Sequence, residues 1–308
     1  MNLVVAPAVR GLAPVRPRPL GSDPRCPPAT RLKRASAAEA RGSARAAVAP
    51  APGYRRAVDS AGTYDELVEI ARQDDHIIGL ILTGSRGRGF AVTENSDWDV
   101  RLVVRDEVVD EYRARLATSH GAAVNVVVFS LSEFGQAGEV GTESAWDRYS
   151  YVRAEIVIDG PDGQIAELTR TKSTLPVDVA RLLAAEYLDD YINSYYRAAK
   201  NERSGLEVEA NLDAAESVAA LLNFLFSVHE RVRPFNRFLR WELENHPLPG
   251  DSWTADSLLR RLQAILSSGD IGEQQHLFRD VEALARFHDF DDVIDGWEPD
   301  LDWLRIGG

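Results

Sequence analysis

The chain has 308 residues, 44% of them hydrophobic, and a formal net charge of −13, which is enough to bury one or two ordinary cores. No apolar run reaches membrane-spanning length, the single cysteine, Cys26, excludes an internal disulfide framework, and the six histidines show no paired zinc-ligand spacing. The expectation is a soluble, cytoplasmic protein with no membrane partner. Residues 1–57 hold eleven basic and two acidic residues, +9, while the other 24 basic and 46 acidic residues give −22. An acidic body disfavours a broad grip on nucleic acid and suits cationic small substrates or plain solubility.

In chain order, residues 1–57 contain nine prolines and no sustained periodicity, so a disordered basic tail is expected, either an over-extended start or a targeting segment. Because Met1 is the one methionine, Val58 is the candidate downstream start. From Thr63 the pattern is α/β: a capping box, Thr63-Tyr64-Asp65-Glu66, opens a helix to about Arg72. A strand at 77–83, a Gly-rich turn, a strand at 97–104, a helix at 107–118, and strands at 122–129 and 152–158 follow, with a helix after the last. After Pro176 the period becomes 3.6, with helices at 177–202, 206–230, 234–244, 254–267 and 273–287 and another near the C-terminus. The division is therefore a tail at 1–57, a mixed-sheet domain at 58–173 and an all-helical domain at 174–308. A cleft between the last two is where a small substrate would bind.

The chemistry concentrates at residues 80–104. An apolar strand ends in Gly84-Ser85, where the missing side chain lets backbone N–H groups approach an anion. After eleven intervening residues the first of two aspartates follows Ser85; strand alternation puts Asp97 and Asp99 on one face while Trp98 and Val100 point inward. Two carboxylates so close repel unless a cation sits between them, and hard oxygen ligands shared with substrate phosphates suit Mg²⁺. Gly84-Ser85-Arg86-Gly87-Arg88-Gly89 lacks both the Lys-Ser/Thr ending of a P-loop and the glycine spacing of a dinucleotide fingerprint.

This pattern, a small-residue turn, about ten residues, then Asp-apolar-Asp-apolar, resembles the nucleotidyltransferase superfamily with the DNA polymerase beta-like palm, and within it the bacterial antibiotic (aminoglycoside-type) nucleotidyltransferases and their uncharacterised relatives. The resemblance implies an α/β (α+β) palm with a mixed sheet followed by an all-α helical bundle. It implies transfer of a nucleoside monophosphate, AMP from ATP, to a hydroxyl of a small molecule, an antibiotic being one candidate. Asp97 and Asp99 would be catalytic and hold Mg²⁺. Gly84 and Ser85 would seat the triphosphate, with Arg88 (beside Arg86) and Lys200 as further phosphate contacts, although Lys200 also merely suits a helix C-terminus. Where relatives place a third carboxylate the chain has Asn125, which can ligate a metal but cannot take a proton. Two readings stay open. Either the base comes from the helical domain, with Asp189 (in the cluster Glu186, Asp189, Asp190) and Glu216 (in the stripe Glu209, Asp213, Glu216, expected to run into an apolar stretch) as candidates, or the chain is a catalytically weak nucleotide-binding regulator or antitoxin-like protein. Tyr187, Tyr191 and Tyr195 form a helical stripe suited to core packing or to stacking on a base. Oligomeric state is not legible.

Overall fold

The computed structural model describes residues 63–116, 123–160 and 162–305; the basic tail, Cys26 and Val58 lie outside the described residues. Thr63 caps α1 (Tyr64–Arg72): its hydroxyl accepts from the Glu66 N–H, and its own N–H donates to the Glu66 carboxylate, the reciprocal pair expected of a capping box. Then come β1 (Ile77–Leu82), α2 (Gly84–Arg88), β2 (Trp98–Val104), α3 (Val109–Arg115), β3 (Val124–Ser130), α4 (Leu131–Gln136), a 3-10 turn at Ala145–Tyr151, β4 (Glu155–Asp159) and α5 (Gln164–Lys172). The strand order is β3-β2-β1-β4, with β1 antiparallel to β2 and β4 and β2 parallel to β3, so the sheet is mixed, as the sequence predicts.

Alternation sorts the strands into two faces. Leu80, Leu82, Val100, Leu102 and Val104 pack with Leu67, Val68 and Tyr112 from α1 and α3. The opposite residues Ile81 and Val103 pack with Phe134, Tyr151 and Ile165. On this second face Gly79 meets α5 so closely that a Cβ would stand 2.7 Å from Ile165 Cγ1, which explains a glycine inside an apolar strand. Asp99 and Arg101 share the parity of Val103, so their strand end lies on the face that α4, α5 and the 3-10 turn cover.

The helical part begins with α6 (Val177–Arg203), whose 27 residues make a rod of about 40 Å. It turns at Gly205, in the left-handed region at φ 72°, into α7 (Glu207–Ser227). A second short arm follows as a 3-10 turn (Asn236–Phe238) and α8 (Leu239–Asn245), then α9 (Ala255–Ser268), α10 (Ile271–Phe287) and α11 (Asp291–Asp295). The helix expected to reach 230 stops at Ser227, and the one expected from 234 opens as a 3-10 turn after Pro234. Tyr191 and Tyr195 are buried against Phe278, and the Tyr195 hydroxyl donates to the Leu304 carbonyl at 2.7 Å; for these two the stripe is core.

Sheet and helices meet around Glu242, which is 2% exposed. Its carboxylate accepts from the Tyr149 hydroxyl at 2.7 Å, from Arg231 at 3.0 Å and from Arg153. Beside it Phe90 stacks on Trp241, centroids 3.5 Å apart. A carboxylate removed from water is tolerated only with such partners, and burial together with this bond holds the Tyr149 phenol well above its ordinary pKa. Glu242→Ala leaves two guanidiniums and a phenol without their acceptor, and is expected to cost about 3–5 kcal/mol of stability in urea unfolding.

Lys172, 4% exposed, donates to the Gly135 carbonyl at 3.0 Å and lies over Phe134. Burial, reinforced by Arg148, lowers its pKa from 10.5 to about 8. Between those two values the unfolded chain holds a proton that the folded chain has released, so this lysine makes stability rise as pH climbs from about 8 to about 10.5. Urea unfolding across that range is expected to show the rise, and Lys172→Met to flatten it.

Candidate active site

Asp99 is held from three sides. The Thr83 N–H and hydroxyl both donate to its carbonyl, at 2.8 and 3.0 Å. Gly84, in the left-handed region at φ +67°, lies so close to its carboxylate that a Cβ would stand 2.3 Å from Oδ2. Asn125 is in direct register with Asp99 on β3 and donates from Nδ2 to Oδ1 at 3.2 Å. Gly84 is thus required twice, for its backbone angle and for the approach of Asp99. Gly87 is required for packing, since a Cβ there would stand 2.0 Å from the Leu82 carbonyl oxygen.

The Gly-rich segment, read as a turn, is a short helix. In a helix, residues two apart point to opposite sides, and Arg86 and Arg88 part accordingly. Arg86 donates from Nε to the Ser96 carbonyl at 3.0 Å, and its guanidinium lies 4.4 Å over the Trp98 ring, whose centroid is 4.0 Å from that of Tyr64. Burial, with Glu155 nearby, pushes the Tyr64 phenol up to about 12. Ser85 is buried and shares a 3.2 Å hydrogen bond with the Ser96 hydroxyl. Asp97 lies one residue before β2 and is exposed.

The donor set, two carboxylates two residues apart and an amide in register, contains hard oxygen atoms alone. Among the described residues no cluster of three or more His, Cys, Asp or Glu side chains could hold a metal. Mg²⁺ keeps several waters and shares substrate phosphates, so it needs one or two protein carboxylates, and Asp97, Asp99 and the Asn125 carbonyl oxygen fit that demand.

Two residues beyond Asp99 on the same face, Arg101 pairs with Asp147 at 3.3 Å. Asp147 belongs to the 3-10 turn, and its neighbours Trp146 and Arg148 line a cleft of about 650 Å³, closed on the other side by Glu186 and Tyr187 of α6 and by Arg233 and Phe235. Neither the 3-10 turn nor its part in a cleft is predicted from the sequence; the one signal is a charged residue, Arg101, inside an apolar strand.

Four expected site residues sit elsewhere. Arg88, 8% exposed, donates to the Val152 and Tyr149 carbonyls and lies over the Tyr149 and Phe238 rings; it braces the sheet against the helices and is not available to phosphates. Glu216 is not buried beside the apolar stretch: its side chain is 65% exposed and paired with Arg197, because it falls on the outer face of α7. Asp189 accepts from the Trp297 indole at 2.8 Å, which ties it to the C-terminal segment. Lys200 is exposed, near Tyr196, 23 residues beyond the start of α6 at Val177 and so about 35 Å along the rod from the end that leaves the sheet. Of the first acidic cluster, Glu186 faces the cleft.

No family model matches the chain, and no curated protein matches it. Among solved structures, the crystal structure of a nucleotidyltransferase-like protein from Exiguobacterium sibiricum is similar at 12% identity and a TM-score of 0.35, covering 73% of this chain and 80% of that one. A likeness at that level assigns neither function nor residues.

The contact between Gly84 and Asp99 gives a direct test. Gly84→Ala meets both a positive φ and a carboxylate oxygen, and is expected to destabilise by about 1–3 kcal/mol while displacing Asp99. Gly89→Ala, at φ +71° but in open space, is expected to cost about 1 kcal/mol through the backbone alone. Equal losses for the two in thermal unfolding would contradict the steric account.

Proposed function

We propose that the chain is a Mg²⁺-dependent nucleotidyltransferase that moves AMP from ATP to a hydroxyl of a small molecule, an antibiotic being one candidate. The observation that carries this is the seating of the Asp99 carboxylate against the bare backbone of Gly84 with Asn125 in register. Gly84 and Ser85 would present backbone to the triphosphate, and Arg86, beside Trp98, would supply the phosphate contact in place of the buried Arg88. Asp97, Asp99 and the Asn125 carbonyl would hold the metal, which when bound offsets the charge that develops on the phosphoryl oxygens. Glu186 lines the adjoining cleft and can accept the proton of the acceptor hydroxyl; this replaces Asp189 and Glu216 as the base.

One observation favours the second reading, a nucleotide-binding regulator: Asn125 already donates to Asp99, so a neutral amide quenches part of the carboxylate that a catalytic site would leave for metal. Pyrophosphate release, screened over nucleotides and hydroxyl acceptors, separates the two. If the chain is an enzyme, Asp99→Asn abolishes turnover with the fold intact, Glu186→Gln lowers it by roughly 10² to 10⁴, and Asn125→Asp changes it little. An inert wild type that gains turnover in Asn125→Asp would establish the regulator instead.

A further inference from the structure

The acceptor cleft carries a charge opposite in sign to that of the protein. Two guanidiniums line it, and neither has a carboxylate within ion-pair distance among the described residues. Arg148, 8% exposed, donates to the carbonyls of Gly138, Thr171 and Thr174 at 2.6–2.8 Å, and its Nε is buried without a partner. Arg233 donates to the side-chain oxygens of Asn223 and Asn236 at 3.1 and 3.0 Å. Because a guanidinium only donates, it fixes both Oδ1 atoms toward itself and turns the two Nδ2 groups outward as further donors. Against them stands one lining carboxylate, Glu186, among the described residues. Arg148 is buried and Arg233 half-buried; a cation withdrawn from water and matched only by neutral acceptors is costly, and an oxyanion at Arg233 relieves that cost. Three aromatic rings also line it, Trp146, 72% exposed, Phe235 and Tyr187, among aliphatic residues such as Leu175, Leu183 and Pro234.

We infer that the acceptor is a ring-bearing small molecule with an oxyanion, a carboxylate or a phosphate, set against Arg233, Asn223 and Asn236 with its ring among Trp146, Phe235 and Tyr187. This rests on the transferase reading for the word acceptor, and it reverses the cationic substrate that the acidic composition suits.

The test is calorimetric titration of the full chain without nucleotide or divalent cation. Three probes share a ring and a phenolic hydroxyl: 4-hydroxyphenylacetate, tyrosol and tyramine, anionic, neutral and cationic. The acid is expected to bind roughly tenfold tighter than tyramine, with tyrosol between, a margin typical of one charge-assisted hydrogen bond. Arg233→Gln is expected to remove that margin. Asn223→Asp, which gives Arg233 a carboxylate without changing size, is expected to remove it too, and guards against a misfolded arginine variant. Phenyl phosphate binding tighter than 4-hydroxyphenylacetate would support the inference and identify phosphate as the oxyanion; the reverse order would support it and identify carboxylate. Tyramine binding as tightly as the acid, no binding of the acid, or displacement of the acid by AMP would each overturn it. Oxyanion binding without pyrophosphate release in the complete reaction would sink the transferase reading alone, whereas turnover of cationic acceptors with no oxyanion binding would sink this inference alone.

Discussion

The arrangement depends on one buried carboxylate. Glu242 lies on a short helix of the second half, yet its partners Tyr149 and Arg153 come from the first. A charge taken out of water demands a complete set of donors, so the 3-10 turn, the strand after it and α8 are held in one relation. Arg88 and Phe90 extend the same contact to the end of α2. The short helix that presents Gly84 to Asp99 is thereby anchored at its far end to the helical part, and the cleft between the 3-10 turn and α6 inherits its width from that anchorage.

Within this frame the site is built by backbone economy. Thr83 holds the Asp99 carbonyl with two donors, and Gly84 lets the side chain of the same residue lie against the chain. Few flexible groups are involved: β2 and β3 supply Asp99 and Asn125 through register, and Trp98 is clamped between Tyr64 and Arg86. Positions on regular elements, with rotamers limited by close neighbours, keep Asp99 and Asn125 in one arrangement.

Much of this was legible. The capping box, the mixed sheet and the change of period at Pro176 follow from local spacing and from the period of two in strands, which fixes faces once register is set; the place of Asn125 beside Asp99 follows from the resemblance. What failed did so for identifiable reasons. A five-residue helix rich in glycine has no periodicity to detect, and a turn does not distinguish Arg86 from Arg88, although a helical step sends them to opposite sides. Asp97 falls just outside its strand. Glu216 and Asp189 depend on which side of a long helix meets which neighbour, information held by Arg197 and Trp297 far along the chain. Glu242, flanked by Trp241, Leu243 and Glu244, reads as ordinary helix surface, and its burial follows from contacts about ninety residues away in sequence.

The contrast between a −13 chain and a cleft lined by two uncompensated guanidiniums bears on the kinetics of encounter. Within a Debye length of the surface, about 10 Å at 0.1 M salt, an arriving anion meets the field of the acidic exterior, and only inside the cleft does it meet Arg148 and Arg233. Added salt weakens the outer field first and leaves buried contacts nearly unchanged. For an oxyanion bound as inferred, capture is therefore expected to quicken as salt screens the acidic exterior, the reverse of ordinary electrostatic steering.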